Sequence, residues 1–282
     1  MTRMTAYLSV LVALISLIAS SVSMAADANM NATSDDAAAS AQEFFLLQLQ
    51  AEIQGRLSDL DASVENASLS LSATGIDSEK ARDVLLNLTG TGSDFMEAVT
   101  ISPQGRMVLA EPAVFKSSEG ADLNRQDVVQ QIERTRSPVF SEVFGTVEGN
   151  DAVAMIYPVF SLAGNFTGAV SATFKPGAFL GGIIAQKING TPYSVWLMQR
   201  DGRILYDPDP SEIGRMLFED PLYKDYPSLL ELGRTMAKER AGMGSYYFLR
   251  EGLQGNATKV TYWTTVGLHG NEWRLAVVRA VE

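Results

Sequence analysis

The chain contains no cysteine. This absence excludes disulfide cross-links, thiolate metal sites, thiol catalysis and a lipid anchor attached to cysteine. Histidine is almost absent too, because His269 is the only one. A single histidine excludes a His-rich zinc site, and its position in a turn is typical of a solvated side chain rather than a catalytic base. The sequence also lacks the Gly-x-Ser-x-Gly motif of serine hydrolases.

Basic residues are scarce as well. Lys and Arg number 22 against 33 Asp and Glu, giving a net charge of −11. Nucleic acids and anionic membrane surfaces both require basic patches, so neither is expected as a partner. Acidity of this kind is typical of a protein kept soluble by its charge.

Long apolar runs are missing after the N-terminus. The one such run, Leu8–Val22, follows Arg3 and precedes the small residues Ser23–Ala26. This pattern predicts that residues 1–26 are a secretory signal peptide, or alternatively an uncleaved N-terminal anchor. We therefore expect a secreted or extracytoplasmic protein, held at the membrane if the segment is not cleaved.

Asparagine is unusually often followed at the second position by Ser or Thr. Six of ten asparagines have this spacing, and none has Pro between. These candidate glycosylation acceptors are Asn31, Asn66, Asn87, Asn165, Asn189 and Asn256. They predict a glycoprotein; the alternative is a set of polar turns that happen to fit the motif.

Residues 27–41 are small and polar without apolar periodicity, which predicts a flexible leader. Apolar residues then recur every three to four positions from Phe45 onward. This spacing predicts a long amphipathic helix, followed by a second helix with Asp77 or Ser78 as its N-cap. The helical region is assigned to residues 42–94.

The remainder of the chain contains one pattern twice. Ala98–Ala110 and Val195–Tyr206 each have an apolar run, a turn with Gly, an Arg and a second apolar run. The repeat predicts an α+β protein with two modules, 95–190 and 191–282, each a five-stranded antiparallel sheet with flanking helices. The predicted strands of the first module are 95–101, 106–110, 139–144, 152–160 and 167–174.

Carboxylates cluster after the second hairpin. Asp207, Asp209 and Glu212 lie close together in a segment with two prolines. Their spacing matches no calcium loop, and it favours a structural turn over a cation site. A pair of carboxylates distant in sequence could still form a hydrolase site, since spacing does not reveal that geometry.

The long helix and two sheets resemble the double Cache fold, the PAS-like extracellular sensor modules of chemoreceptors and histidine kinases. The segment Asp201–Gly214, with its Gly turn, Asp-Pro pairs and Ile-Gly, resembles the hairpin of the family's membrane-proximal module. Tyr157–Phe160 through Val170 resembles the last two strands of the membrane-distal module. The resemblance implies a distal module at 95–190, a proximal module at 191–282 and a small-molecule ligand in the distal one.

The resemblance also implies which residues would contact the ligand. Amino-acid binders of the family place an Asp on the last distal strand, where this chain has Thr173. A hydroxyl cannot neutralise an ammonium group as a carboxylate does, so a small carboxylate or neutral ligand is favoured over an amino acid. The predicted ligand-binding residues are Arg125, Met155, Tyr157, Ser171 and Thr173.

These observations predict a non-catalytic extracytoplasmic sensor module without cofactor or metal. Family members continue into a transmembrane helix and a signalling domain, whereas this sequence stops at Glu282. It is therefore expected to lack its own transmembrane output and to act with a membrane receptor or kinase. The alternatives are a cell-surface interaction or structural protein that reuses the fold, and a carboxylate-based hydrolase.

Overall fold

The computed structural model describes residues 2–249 and 255–281, with side chains from residue 35 onward. The predicted signal peptide and the candidate acceptor Asn31 therefore lie outside the residues whose side chains are described. The chain divides into two compact units, Met1–Phe45 and Leu46–Glu282, and both sheets lie in the second. None of the helices in the described part of the chain combines the length and apolar character needed to cross a membrane.

The first element is the helix α1, Thr2–Thr74. Its predicted apolar stripe is buried, and the fully covered positions include Leu49, Ile53, Leu57, Val64 and Leu71. Gly75, at φ +79°, ends the helix, and its N–H donates to the carbonyl of Leu71. The segment 27–41, expected to be a flexible leader, is helical backbone within α1, consistent with its six alanines and its lack of Pro and Gly.

Four shorter helices follow: α2 (Glu79–Leu88), α3 (Asp127–Thr135), α4 (Pro176–Ile188) and α5 (Pro227–Lys238). Ser78 is the N-cap of α2, as predicted, because its side chain accepts a hydrogen bond from the N–H of Ala81. The apolar face of α3 packs on the distal sheet, and that of α5 packs on the proximal sheet. Each module therefore has its own core.

The distal sheet is antiparallel and has six strands, one more than predicted. They are β1 (Glu97–Ile101), β2 (Met107–Glu111), β3 (Val139–Phe140), β4 (Phe144–Gly145), β5 (Asp151–Phe160) and β6 (Phe166–Phe174). Their order is β2-β1-β6-β5-β3, and β4 also pairs with β5.

The extra strand arises because the predicted strand 139–144 is interrupted at Ser141. The Ser141 hydroxyl, rather than a backbone carbonyl, accepts the hydrogen bond of the Ala154 N–H at 2.8 Å. The N–H of Val143 then donates to the Oε1 of Gln199 in the proximal module at 2.7 Å. These two bonds take the place of ladder bonds, so β3 and β4 are separate strands.

The proximal sheet has the five predicted strands. They are β7 (Ser194–Gln199), β8 (Ile204–Tyr206), β9 (Gly242–Leu249), β10 (Asn256–Leu268) and β11 (Asn271–Val281). The order β8-β7-β11-β10-β9 reproduces the order β2-β1-β6-β5-β3 of the distal sheet. The two modules thus share one topology, as the repeated pattern predicted.

Aromatic packing joins the two modules. Trp273 of β11 is fully buried, and its ring centroid lies 5.1 Å from that of Phe140 and 6.5 Å from that of Phe174. The side-chain amide of Asn271 also donates to the carbonyl of Ser141 at 2.6 Å. A proximal strand therefore completes the packing around two distal phenylalanines.

The close approach of β6 to β1 gives a test of this fold. Gly168 has φ +141°, and a Cβ there would overlap the carbonyl oxygen of Ile101. We expect Gly168→Ala to lower the free energy of unfolding by at least about 2 kcal/mol, as measured by urea denaturation.

Gly182 in α4 is the matched control, because a Cβ there meets no atom within 4 Å. Gly182→Ala should leave stability unchanged or raise it by up to about 1 kcal/mol, since alanine is the better helix former. Equal effects of the two substitutions would contradict the described packing of β6.

Candidate functional site

The distal module encloses a small cavity between its sheet and α3. The free volume is about 30 Å³, enough for about one or two water molecules. The polar side chains that line it come from β1, β6, the start of α3 and the turn between β4 and β5: Glu97, Ser171, Thr173, Gln126, Thr146 and Glu148. The rest of the wall is apolar.

Glu97 is the central polar residue of this cavity. It lies directly opposite Thr173 in the pairing of β1 with β6, and only 3% of its surface is exposed. The Thr173 hydroxyl lies 3.5 Å from its Oε2, at the limit of a hydrogen bond, while Oε1 is buried without a hydrogen-bond partner in the described part of the chain. An acidic side chain in this state is energetically costly unless a ligand or a proton compensates it.

A second carboxylate faces the same space. Glu148, in the turn between β4 and β5, lines the cavity, and both of its carboxylate oxygens are buried without hydrogen-bond partners among the described residues. Burial, together with the negative charge of Glu148, raises the pKa of Glu97 to about 7. Two carboxylates sharing a cavity whose described lining residues include no Lys or Arg favour a positively charged ligand group, for example an ammonium.

The structure separates the five predicted ligand-binding residues. Ser171 and Thr173 lie in the cavity, whereas Met155 and Tyr157 of the adjacent strand do not line it. Met155 pairs with Ala172 and Tyr157 with Val170, which alternate with the cavity residues along β6. Because successive residues of a strand point to opposite faces, these two residues share the other face of the sheet.

Arg125 is not in this cavity either. It is exposed at the start of α3 and lines an open groove of about 590 Å³ between the modules, together with Arg200 and His269. The predicted cluster of Arg125, Tyr157 and Thr173 is therefore not one site in this structure. The sequence analysis did not select Glu97 or Glu148, which do line one cavity, although the lone charge of Glu97 inside the apolar run Phe95–Ile101 was a signal.

Tyr157 and His269 instead meet at α1. The Tyr157 hydroxyl donates to Asp61 Oδ2 at 2.9 Å, and His269 Nε2 lies 2.8 Å from Asp61 Oδ1. Burial and the hydrogen bond to the Asp61 carboxylate raise the pKa of Tyr157. His269 is an exposed residue, as expected, but its imidazole is only 24% exposed and lies against the Asp61 carboxylate.

The acidic segment of the proximal module forms a turn. Asp207 accepts a hydrogen bond from the N–H of Asp209, and Asp209 accepts one from the N–H of Ser211. Glu212 is buried and accepts the Tyr223 hydroxyl at 2.9 Å. Within the described residues no group of three or more His, Asp or Glu could hold a metal ion.

The candidate glycosylation acceptors in the described part of the chain are all exposed. They are Asn66, Asn87, Asn165, Asn189 and Asn256. An asparagine must be exposed to be glycosylated, so these positions permit modification. That the protein is a glycoprotein remains a prediction.

Comparison with known proteins agrees with the sensor architecture. Residues 55–176 match the family model described as HK/GC/Chemotaxis protein-like, sensor domain. The match covers the end of α1 from residue 55, together with α2, α3 and the six strands of the distal sheet. A search of curated proteins found no match.

Solved structures with the same fold are chemoreceptor ligand-binding domains. An extracellular ligand binding receptor from Desulfohalobium retbaense is 30% identical with a TM-score of 0.71, covering 83% of this chain. The chain spans only 39% of that receptor. The ligand binding domain of Pseudomonas aeruginosa PctB, in complex with L-Arg, is 18% identical over 84% of this chain and 93% of its own, with a TM-score of 0.60.

A third neighbour extends the series. Pseudomonas aeruginosa PctC in complex with GABA is 19% identical over 86% of this chain and 99% of its own, again with a TM-score of 0.60.

The resemblance to the double Cache sensors is thereby confirmed, and the fold class with it. The predicted preference for a carboxylate or neutral ligand over an amino acid finds no support, because L-Arg and GABA both carry amino groups.

The pKa of Glu97 predicts how stability depends on pH. Its folded pKa of about 7 lies above the ordinary value of 4.5, so the folded chain binds more protons between these values. Stability should therefore fall as pH rises from about 4.5 to 7. We expect Glu97→Gln to raise the free energy of unfolding at pH 8 by about 1–3 kcal/mol and to have little effect at pH 4.

Urea denaturation at both pH values measures this difference. Glu231→Gln, at an exposed glutamate of α5, serves as the control and should be neutral throughout. An effect of Glu97→Gln that is the same at pH 4 and pH 8 would contradict the assignment.

Proposed function

We propose that this chain is an extracytoplasmic, non-catalytic sensor module that binds a small ammonium-bearing ligand, an amino acid or amine, in the distal cavity. The observation that carries the proposal is the pair Glu97 and Glu148, two buried carboxylates in one cavity whose described lining residues include no cation. The sensor fold of the neighbouring chemoreceptor domains supports it. A membrane receptor or kinase is the proposed partner.

The ligand contacts follow from the cavity. The ammonium group binds between Glu97 and Glu148, and the hydroxyls of Ser171 and Thr173 supply polar contacts beside it. Arg125, Met155 and Tyr157 are assigned no direct contact, since they lie elsewhere. Glu97 thus supplies, from β1, the carboxylate that the family pattern places on the last strand.

Binding requires the cavity to open. An amino acid needs more than the free volume of about 30 Å³. We propose that the turn that contributes Thr146, Val147 and Glu148 moves to open the cavity, because the hydrogen bonds described for this turn lie within the turn itself. The turn is closed by the bonds from Thr146 N–H to Asn150 O and from Gly149 N–H to Thr146 O.

A panel of amino acids and amines, each paired with its des-amino analogue, tests the proposal. Isothermal titration calorimetry should detect binding only of ammonium-bearing compounds. Because Glu97 must be ionised to bind a cation, affinity should rise up to roughly tenfold between pH 6 and pH 8. Glu97→Gln should weaken binding and remove most of this pH dependence.

The control is again Glu231→Gln, which should bind as the unmodified protein does. Binding that is independent of the amino group, or unaffected by Glu97→Gln, would refute the ammonium assignment. A complete lack of binding across the panel would instead favour the cell-surface interaction role, and hydrolysis of an ester or glycoside panel would favour the hydrolase.

A further inference from the structure

The proximal module contains a larger cavity than the distal one. It has a volume of about 500 Å³, within the range of about 300–1,000 Å³ typical of small-molecule sites. It lies between the proximal sheet, the turn segment 207–214 and the start of α5.

Two hydrogen-bond donors lie on its wall, those of Trp196 and Lys259. Trp196 of β7 is 6% exposed, and its Nε1–H is buried without an acceptor among the described residues. Lys259 of β10 is 8% exposed, and no carboxylate among the described residues forms an ion pair with it. A buried donor and a buried cation on one cavity wall favour a ligand that carries a negative charge.

The surroundings of Lys259 do not replace such a partner. Its Nζ lies 5.7 Å from the ring centroid of Phe248, which is a weak cation–π contact. Glu212 also lines the cavity, but one of its oxygens accepts the Tyr223 hydroxyl, and burial raises its pKa. Glu212 and Lys259 attract each other electrostatically, but no ion pair joins them within the described residues, so the ammonium of Lys259 can still contact a ligand anion.

The rest of the wall limits the ligand further. The rings of Trp196, Tyr223, Tyr246 and Phe248 line the cavity and suit an apolar body. Asp207 and Asp209 at its rim each accept a backbone N–H of the turn and keep the rim acidic. A second negative charge on the ligand would be repelled there.

We infer that the proximal cavity is a second ligand-binding site, which takes a small monocarboxylate with an apolar body. Its carboxylate pairs with Lys259, its body packs on the aromatic wall, and the Trp196 indole N–H is available to an oxygen of the same ligand. The inference does not rest on the proposed function of the distal cavity, because the two sites share no residue.

Matched pairs of carboxylates and their amides test the inference. We would titrate the full chain with isovalerate, benzoate and indole-3-acetate, and with the corresponding primary amides, by calorimetry and thermal shift. At least one carboxylate should bind at least tenfold more tightly than its amide. Lys259→Met, which keeps the length of the side chain without its charge, should weaken that binding at least tenfold.

Further variants test whether the carboxylate binds at this site rather than elsewhere on the protein. Trp196→Phe keeps an aromatic wall without the N–H and should weaken binding by a smaller factor. Lys224→Met, at an exposed lysine of the same module, should bind normally, and so should Glu97→Gln in the distal cavity. The inference is overturned if no carboxylate binds better than its amide, or if binding survives in Lys259→Met.

Discussion

Both sheets depend on the burial of one face of α1 between residues 46 and 74. The apolar side chains of this face supply hydrophobic contact along its length, and polar side chains fix its position. Gln54 both donates to and accepts from the backbone of Gly267 at the end of β10. Ser68, further along the helix, donates to the carbonyl of Pro158 in β5. The same helix therefore determines where each sheet lies.

Asp61 of α1 contacts both modules. One carboxylate oxygen accepts the hydroxyl of Tyr157 in the distal module, and the other lies against His269 in the proximal module. Trp273 adds the apolar part of the same junction by packing against Phe140 and Phe174. A movement of the distal sheet would therefore change the contacts of α1 and of the proximal turn that contains His269.

The buried acids of the distal module show two different solutions to the cost of burial. Glu111 is almost fully covered and forms ion pairs with Arg82 at 2.8 Å and Lys116 at 3.1 Å. Glu97, on the neighbouring strand, forms no ion pair within the described residues; its Oε2 lies beside the Thr173 hydroxyl, and Glu148 lines the same cavity. A buried acid that is paired with two cations stabilises the folded structure. A buried acid without such a pair is a candidate binding site for a positively charged ligand.

Much of the architecture could be predicted from the sequence because periodicity and turn residues report it directly. The stripe of α1, the cap at Ser78 and the five proximal strands all follow from local patterns. The cavity could not be predicted in this way. Which face of β5 carries Tyr157 depends on the register against β6, and the position of Glu148 depends on a turn that folds over the sheet. Ser141 also divides a strand, because its side chain accepts a hydrogen bond that strand propensity does not predict.

The pairing of Glu97 with Thr173 has an evolutionary consequence. Cross-strand neighbours lie side by side on one face of a sheet although they are far apart in the chain. Under the proposed ammonium assignment, a carboxylate on β1 can therefore replace one on β6 without changing the charge of the cavity. Related proteins that carry the acid on different strands would then bind the same class of ligand although they differ at the aligned position.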